Sequence, residues 1–296
     1  MDANEEKKKK IKVIMGKVNT SKISSIKQTV TQIVKVISDP NSSAKDLKNV
    51  IEIDPPMSAR LLKLANSAFY GLRKKISGIQ EAIICIGFDA VKELALTQKF
   101  CELFDGYDNL HGYSRISLWK HSIAVALCSK LIYRREFYER GENIYAAGLL
   151  HDIGLIILDQ FQQSELLNIL KKSIIDKENL VNIENDVLGF NHMDIGEAIA
   201  EDWGFSNEMA VAIGNHHNPD SVKGEFAKIT SIVYISDYIS QSKKIGYSDA
   251  PYENYALFHK CLMKHKIKNK AIEIIMEEVE EEINKMEEAG WFKHDE

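Results

Sequence analysis

The run 146-AAGLLHDIGLIIL-158 decides how this chain must be built. Every position from Ala146 to Leu158 is apolar or glycine except the adjacent pair His151 and Asp152. A segment apolar on all sides belongs inside a fold rather than on one face of it. It therefore carries an imidazole and a carboxylate into the interior together. A buried carboxylate without a partner costs several kcal/mol, so Asp152 needs either a metal ion or other buried polar residues. That partner must be found elsewhere in the chain.

The composition sets the frame for the search. With 296 residues, 45% of them hydrophobic and 27% charged, the chain has material for one large or two small domains and an ample core. A net charge of −5 and a pI near 6.0 give no electrostatic reason to expect nucleic acid. The basic run Lys7–Lys10 follows Glu5 and Glu6 and reads as a solvated, flexible tail over residues 1–20. IKVIMGKVNTSK after it is too short and polar for a signal peptide, and no apolar stretch approaches the ~20 residues of a membrane helix. Cys85, Cys101, Cys128 and Cys261 are widely spaced without a paired motif, as expected of reduced core thiols in a cytoplasmic protein.

Periodicity points to an all-α fold. Five prolines are present and alternating strand patterns are hard to find. Ile123, Val125, Leu127, Cys128, Leu131 and Ile132 fill a helix starting near Leu118. Ile272, Ile275, Val279, Ile283 and Met286 form a stripe on a C-terminal helix whose acidic residues at 277, 278 and 280–282 read as its solvated face. Helices are expected also over 25–38, 43–52, 56–66, 78–86, 89–104, 163–188, 192–202, 207–216 and 224–241. The polar stretch 105-DGYDNLHGY-113 separates two helical halves. It suggests an N-terminal helical subdomain over 21–110, a core over 111–245 and a helical extension over 246–296.

The candidate partners for His151 and Asp152 lie in the second half. His121 shares a helix face with Val125, Cys128 and Ile132. His192 follows Asn191, a plausible N-cap, and opens the helix of Ile195 and Ile199. His216 and His217 end the next helix before Asn218 and Pro219, and Asp237 sits at the edge of an apolar arc. Each has an ordinary structural reading: a lone core histidine, a helix C-cap, a partly exposed carboxylate. Five imidazoles and two carboxylates together suit borderline first-row metals, and no cysteine joins them as in a thiolate zinc site. Seven donors exceed the four of one tetrahedral ion. Two ions about 3.5–4 Å apart, with Asp152 between them, are the natural arrangement, and such pairs act on phosphate esters. Asp152 would then be the residue on which any catalysis depends. Arg134, Arg135 and Arg140 offer either a phosphate-greeting cluster or an exposed helix end.

At these residues the chain resembles known families. His121, His151-Asp152 and Asp237 resemble the H…HD…D signature of the HD-domain metal phosphohydrolases. Asp54-Pro55-Pro56, LLKLANSAFYG at 61–71 and IQEAIICIGFDAVKELAL at 79–96 resemble the HDOD family, HD-related output domains of bacterial signalling proteins. The resemblance covers residues 26–240 and implies an all-helical bundle with an N-terminal helical subdomain packed on an HD-type core. His192, His216 and His217 resemble the extra histidines of HD-GYP phosphodiesterases, which cleave cyclic di-nucleotides. This chain has Leu155 where that group carries a lysine, Asn218-Pro219-Asp220 without a GYP motif, and VNTSKISSIKQ where HDOD domains often have Leu-Pro pairs. The resemblance implies a regulatory protein with a retained divalent-metal site (two ions, Fe or Mn ahead of Zn or Ni). Its partner would be a signalling protein or a small phosphorylated ligand. An active phosphohydrolase and a metal-free scaffold are the other readings.

Overall fold

Short polar side chains start several of the helices expected from the sequence. The computed structural model describes residues 3–104, 109–110, 113–248 and 254–292. Ser43 and Asp46 form a reciprocal capping box at α3 (Ala44–Glu52), and Asp54 caps α4 (Pro55–Ala65), whose first residue is proline. These follow α1 (Ala3–Asn19) and α2 (Ile23–Ser38); α5 (Ile79–Ile86) and α6 (Phe88–Cys101) complete the N-terminal half. Between α4 and α5, Asn66 closes the loop by donating to the Leu62 and Ile76 carbonyls and accepting from the Ile76 amide, at 2.8–2.9 Å. Lys99, almost wholly buried, ties α6 to α4 through Asp54 (2.6 Å) and to Glu102 (2.9 Å).

Ser114 and Ser117 form a second capping box, which opens the long helix α7 (Arg115–Glu136). The HD run folds as α8 (Glu142–Leu150) and α9 (Ile153–Phe161), broken at His151-Asp152. Then come α10 (Gln163–Asp176), α11 (Leu180–Leu188), α12 (His192–Asp202), α13 (Asn207–Gly214), α14 (Ala227–Ser242), α15 (Tyr255–Lys264) and α16 (Asn269–Glu288). The only strands among the described residues are the antiparallel pairs Asn109–Leu110 and Tyr113–Ser114. The fold is all-α, as expected. α7 packs on α8, α14 and α16; α12 packs on α9 and α13, and α2 and α6 reach α8. One hydrophobic core runs from Ile14 to Met286 through both halves.

Several expectations change. Residues 3–19 form a helix rather than a flexible tail, because Ile14 and Val18 lie four apart and bury against the body (3% and 1% exposed). The charge run conceals that short stripe. The helix expected over 163–188 divides at Lys177, which adopts a left-handed conformation (φ 53°), and Asn179 caps the new helix through the Val181 amide. Cys128 and Cys261 are buried thiols, but Cys85 is exposed and Cys101 half-buried; none of the four is in a disulfide. Residues Asn143–Phe161 are long and apolar enough to cross a membrane by composition, contrary to the sequence reading, yet they are almost wholly buried inside the fold. Part of the boundary stretch 105–113, with His111, and the C-terminal His294 lie outside the described residues. The C-terminal stripe buries as expected, while Glu278 and Glu280 pair with Arg135 and Lys243.

Candidate metal centre

Five segments deliver the seven predicted side chains to one place. His121 comes from α7, His151 and Asp152 from the α8–α9 break, and His192 from the first turn of α12. His216 and His217 come from the turn just beyond α13, and Asp237 from α14. All are buried except His217, which is partly exposed. Asp237 is buried rather than at the edge of an arc, because α14 is enclosed on nearly every side.

Asp152 stands in the middle. Its Oδ2 lies 3.2 Å from His151 Nε2 and 3.9 Å from His121 Nε2. Its Oδ1 lies 3.4 Å from His216 Nε2 and 3.6 Å from His192 Nε2. Asp237 makes a second link, with Oδ1 3.0 Å from His121 Nε2 and Oδ2 3.6 Å from His217 Nδ1. The potential ligand atoms fall into two groups: His121, His151 and Asp237, and Asp152, His192, His216 and His217.

The far sides of three rings are held. His151 Nδ1 bonds the Gly148 carbonyl and His216 Nδ1 the Ile213 carbonyl, each at 2.7 Å. His192 Nδ1 bonds Glu184 Oε2 at 2.7 Å, and the same oxygen accepts the His192 amide at 3.1 Å. With Nδ1 donating, Nε2 of each ring in its neutral form is left as a lone-pair donor toward the centre. His216 thus answers to both of its sequence readings: it caps a helix end and faces the site. His121 departs from the pattern, since its Nδ1 is buried without a hydrogen-bond partner.

The electrostatics favour ligand protonation states at His216, His217 and both carboxylates. Burial lowers the pKa of His216 and His217, keeping both imidazoles neutral. Burial would raise Asp152 and Asp237, but the surrounding imidazoles outweigh it and hold both carboxylates ionised, well below their usual range. His151 goes the other way: burial disfavours its charge, yet Asp152 and Asp237 raise it to about 9. His151 Nε2 and Asp152 Oδ1 are buried atoms without a hydrogen-bond partner. Orphaned donors of this kind, facing one another among anionic carboxylates, fit metal ions.

Two close backbone approaches shape the site. A Cβ on Gly154 would lie 1.9 Å from the His192 carbonyl oxygen, so glycine alone lets α9 meet α12. Gly246 (φ +77°) sits where a Cβ would be 2.5 Å from the His121 amide nitrogen, and Tyr247 N–H donates to the Ser117 carbonyl at 2.8 Å. The sequence reading missed Glu184, although it lies on the apolar face of α11 with Leu180, Ile183 and Leu188. It also missed Gln241, one turn beyond Asp237, whose amide donates to Asp237 Oδ1 at 2.9 Å. Arg134 and Arg135 serve the chain itself, through the Arg140 carbonyl and Glu278, about 20 Å along α7 from His121.

Glu184→Gln removes the charge that orients His192 while preserving shape. Metal affinity measured by chelator competition is expected to fall at least about tenfold with unchanged helicity. Equal affinities would assign Glu184 a packing role only.

An HDOD domain protein of Geobacter sulfurreducens with unknown function has the same fold (TM-score 0.71, 24% identity, covering 88% of this chain and 90% of that one). A Shewanella amazonensis SB2B protein, provisionally called a phosphohydrolase, superposes with TM-score 0.66 at 19% identity, over 88% and 93%. An uncharacterized protein of Treponema pallidum (strain Nichols) is 24% identical over 225 residues, 71% of this chain. The chain spans 40% of the length of that relative, and 24% of Bacillus subtilis (strain 168) YuxH, to which it is 29% identical over 100 residues. Residues 23–219 match the HDOD domain, two thirds of the chain and most of the helices that build the centre, and the protein belongs to the HDOD family.

Proposed function

We propose that this HDOD protein holds two divalent transition-metal ions and works as a regulatory module that binds a small phosphorylated ligand at them. His121, His151 and Asp237 would hold one ion and His192, His216 and His217 the other, with Asp152 giving one oxygen to each. The observation that carries this reading is the division of the Asp152 carboxylate, Oδ2 toward one histidine pair and Oδ1 toward the other. Nitrogen and carboxylate donors without thiolate favour Fe or Mn, with Zn or Ni able to enter. Such a pair, when bound, neutralises phosphate charge and acidifies water. The regulatory reading rests on the face of α9 beyond Asp152, where Leu155 is buried and apolar and offers no cation to a phosphate.

A second reading, hydrolysis of a phosphate ester, is favoured by the donor count. Each half offers four protein donors, which leaves room on an ion that prefers six. Metal analysis after anaerobic purification tests the common premise: about two ions per chain are expected, and none would overturn it. A panel of phosphomonoesters and cyclic nucleotides then separates the readings. Binding without turnover supports the regulatory one; turnover that Asp152→Ala abolishes supports the enzyme.

Metal uptake should also release a proton. His151 is protonated below about 9 in the metal-free protein, and an ion must displace that proton. Apparent affinity is therefore expected to rise as pH goes from 7 toward 9. Calorimetry in two buffers of different ionisation enthalpy should show about one proton released. Heat independent of buffer would contradict the assignment.

A further inference from the structure

The corner between α11 and α12 is clamped from outside by α1. Lys10 Nζ donates to the carbonyl of Leu188, the last residue of α11, at 3.0 Å. That carbonyl belongs to the helix end that lacks an intrahelical partner and carries partial negative charge. Lys7 Nζ lies 2.7 Å from Asp194 Oδ1, while Asp194 Oδ2 accepts the Asn191 amide at 2.9 Å and so caps α12. His192 stands between these two clamps, and Glu184 of α11 holds both its ring and its amide. Apolar packing closes this end of α1 only in part. Its fully buried anchors, Ile14 and Val18, lie further along, Ile11 and Met15 are only partly buried, and a groove of about 560 Å³ with Lys8 and Lys12 of α1 and Glu197 and Glu201 of α12 in its lining runs between the two helices where they meet. α1 also lies outside the segment that matches the family.

We propose that α1 is a strap whose Lys7 and Lys10 position His192, and that it sets the affinity of the His192–His216–His217 half of the centre without acting on the other half. The inference rests on the two-ion reading. Lys7 and Lys10 are positioning residues: they act through Asp194 and the Leu188 carbonyl on the backbone that carries the imidazole. The charged contacts of Lys7 and Lys10 run to the α11–α12 corner and to Glu6 of α1 itself, while α1 meets α9, the helix that follows His151-Asp152, by packing.

The test is a Lys7→Ala/Lys10→Ala double variant of the full chain, titrated anaerobically with Mn²⁺ alone. One ion should bind as in the wild type and the other about tenfold more weakly, as for loss of an outer support to a ligand. A Lys7→Arg/Lys10→Arg variant, able to reach the same acceptors, should restore it. In a His216→Ala background, where the first-half ion remains, the double alanine change should have no effect. In the metal-free double variant, the His192 Nδ1–H resonance should shift while that of His151 stays. A wild type that takes up two ions with a variant indistinguishable from it overturns the strap alone. So does equal weakening of both ions, or failure of arginine to rescue. A wild type that takes up no ion overturns the two-ion reading first, and an unmoved His192 resonance then overturns the positioning as well.

Discussion

Asp152→Ala is expected to empty both halves of the centre at once. Purified under conditions that leave about two ions on the wild type, the variant should retain less than about a tenth of that metal. The reason is geometric: one carboxylate faces four imidazoles, two through each oxygen. Loss of an outer support costs about 10–100-fold in affinity, so loss of a shared ligand should cost each ion more than about 100-fold. His121→Ala provides the contrast, because it touches one half and should leave the other ion in place. Asp152→Asn, which keeps the volume but not the charge, should fall between. In metal-free Asp152→Ala the main partner raising His151 is gone, and its pKa should drop from about 9. Two ions retained by Asp152→Ala would show that the carboxylate is a packing element and that the division of its oxygens has no bearing on metal.

Gly154→Ala is expected to damage the fold and the centre together. The new Cβ would lie 1.9 Å from the His192 carbonyl oxygen, 2.7 Å from its carbon and 2.9 Å from the His192 Cα. These are backbone atoms at the start of α12, so no side chain can swing aside. The helices must separate, at a cost of about 3 kcal/mol or more, the upper range for overpacking. That is a large share of an ordinary stability of about 5–15 kcal/mol. The separation also draws His192 away from Asp152 Oδ1. A lower urea midpoint with loss of the second-half ion is the expected pair of results. A midpoint equal to that of the wild type would mean that α9 and α12 yield cheaply at this contact.

Much of the centre was legible before any tertiary structure. All seven candidate ligands come together, and for His121, His151, Asp152 and His192 helix periodicity or a flanking cap already demanded burial of a costly polar group. The helices were legible for the same reason: Ile123, Val125, Cys128 and Ile132 bury, with Leu127 and Leu131 partly so, and the Ile272–Met286 stripe buries as its spacing required. Misreadings occurred where a local signal masked a weaker one. Four lysines hid the Ile14–Val18 stripe of α1, and continuous helical composition hid the break at Lys177. Asp237 looked marginal because a one-helix pattern does not register that α14 is packed on nearly every side.

Residue order alone sufficed for the all-α class, for a His-Asp pair forced inside by thirteen otherwise apolar positions, and for the residues able to join it. Those are consequences of desolvation cost and helical period, both local quantities. The tertiary structure was needed to show that Asp152 turns one oxygen to each histidine pair, that Glu184 orients His192, and that α1 braces the corner behind it. Such facts depend on distances between separate helices, from 8 to 178 residues apart in sequence, set by close contacts such as Gly154 on His192. No single-helix pattern records them.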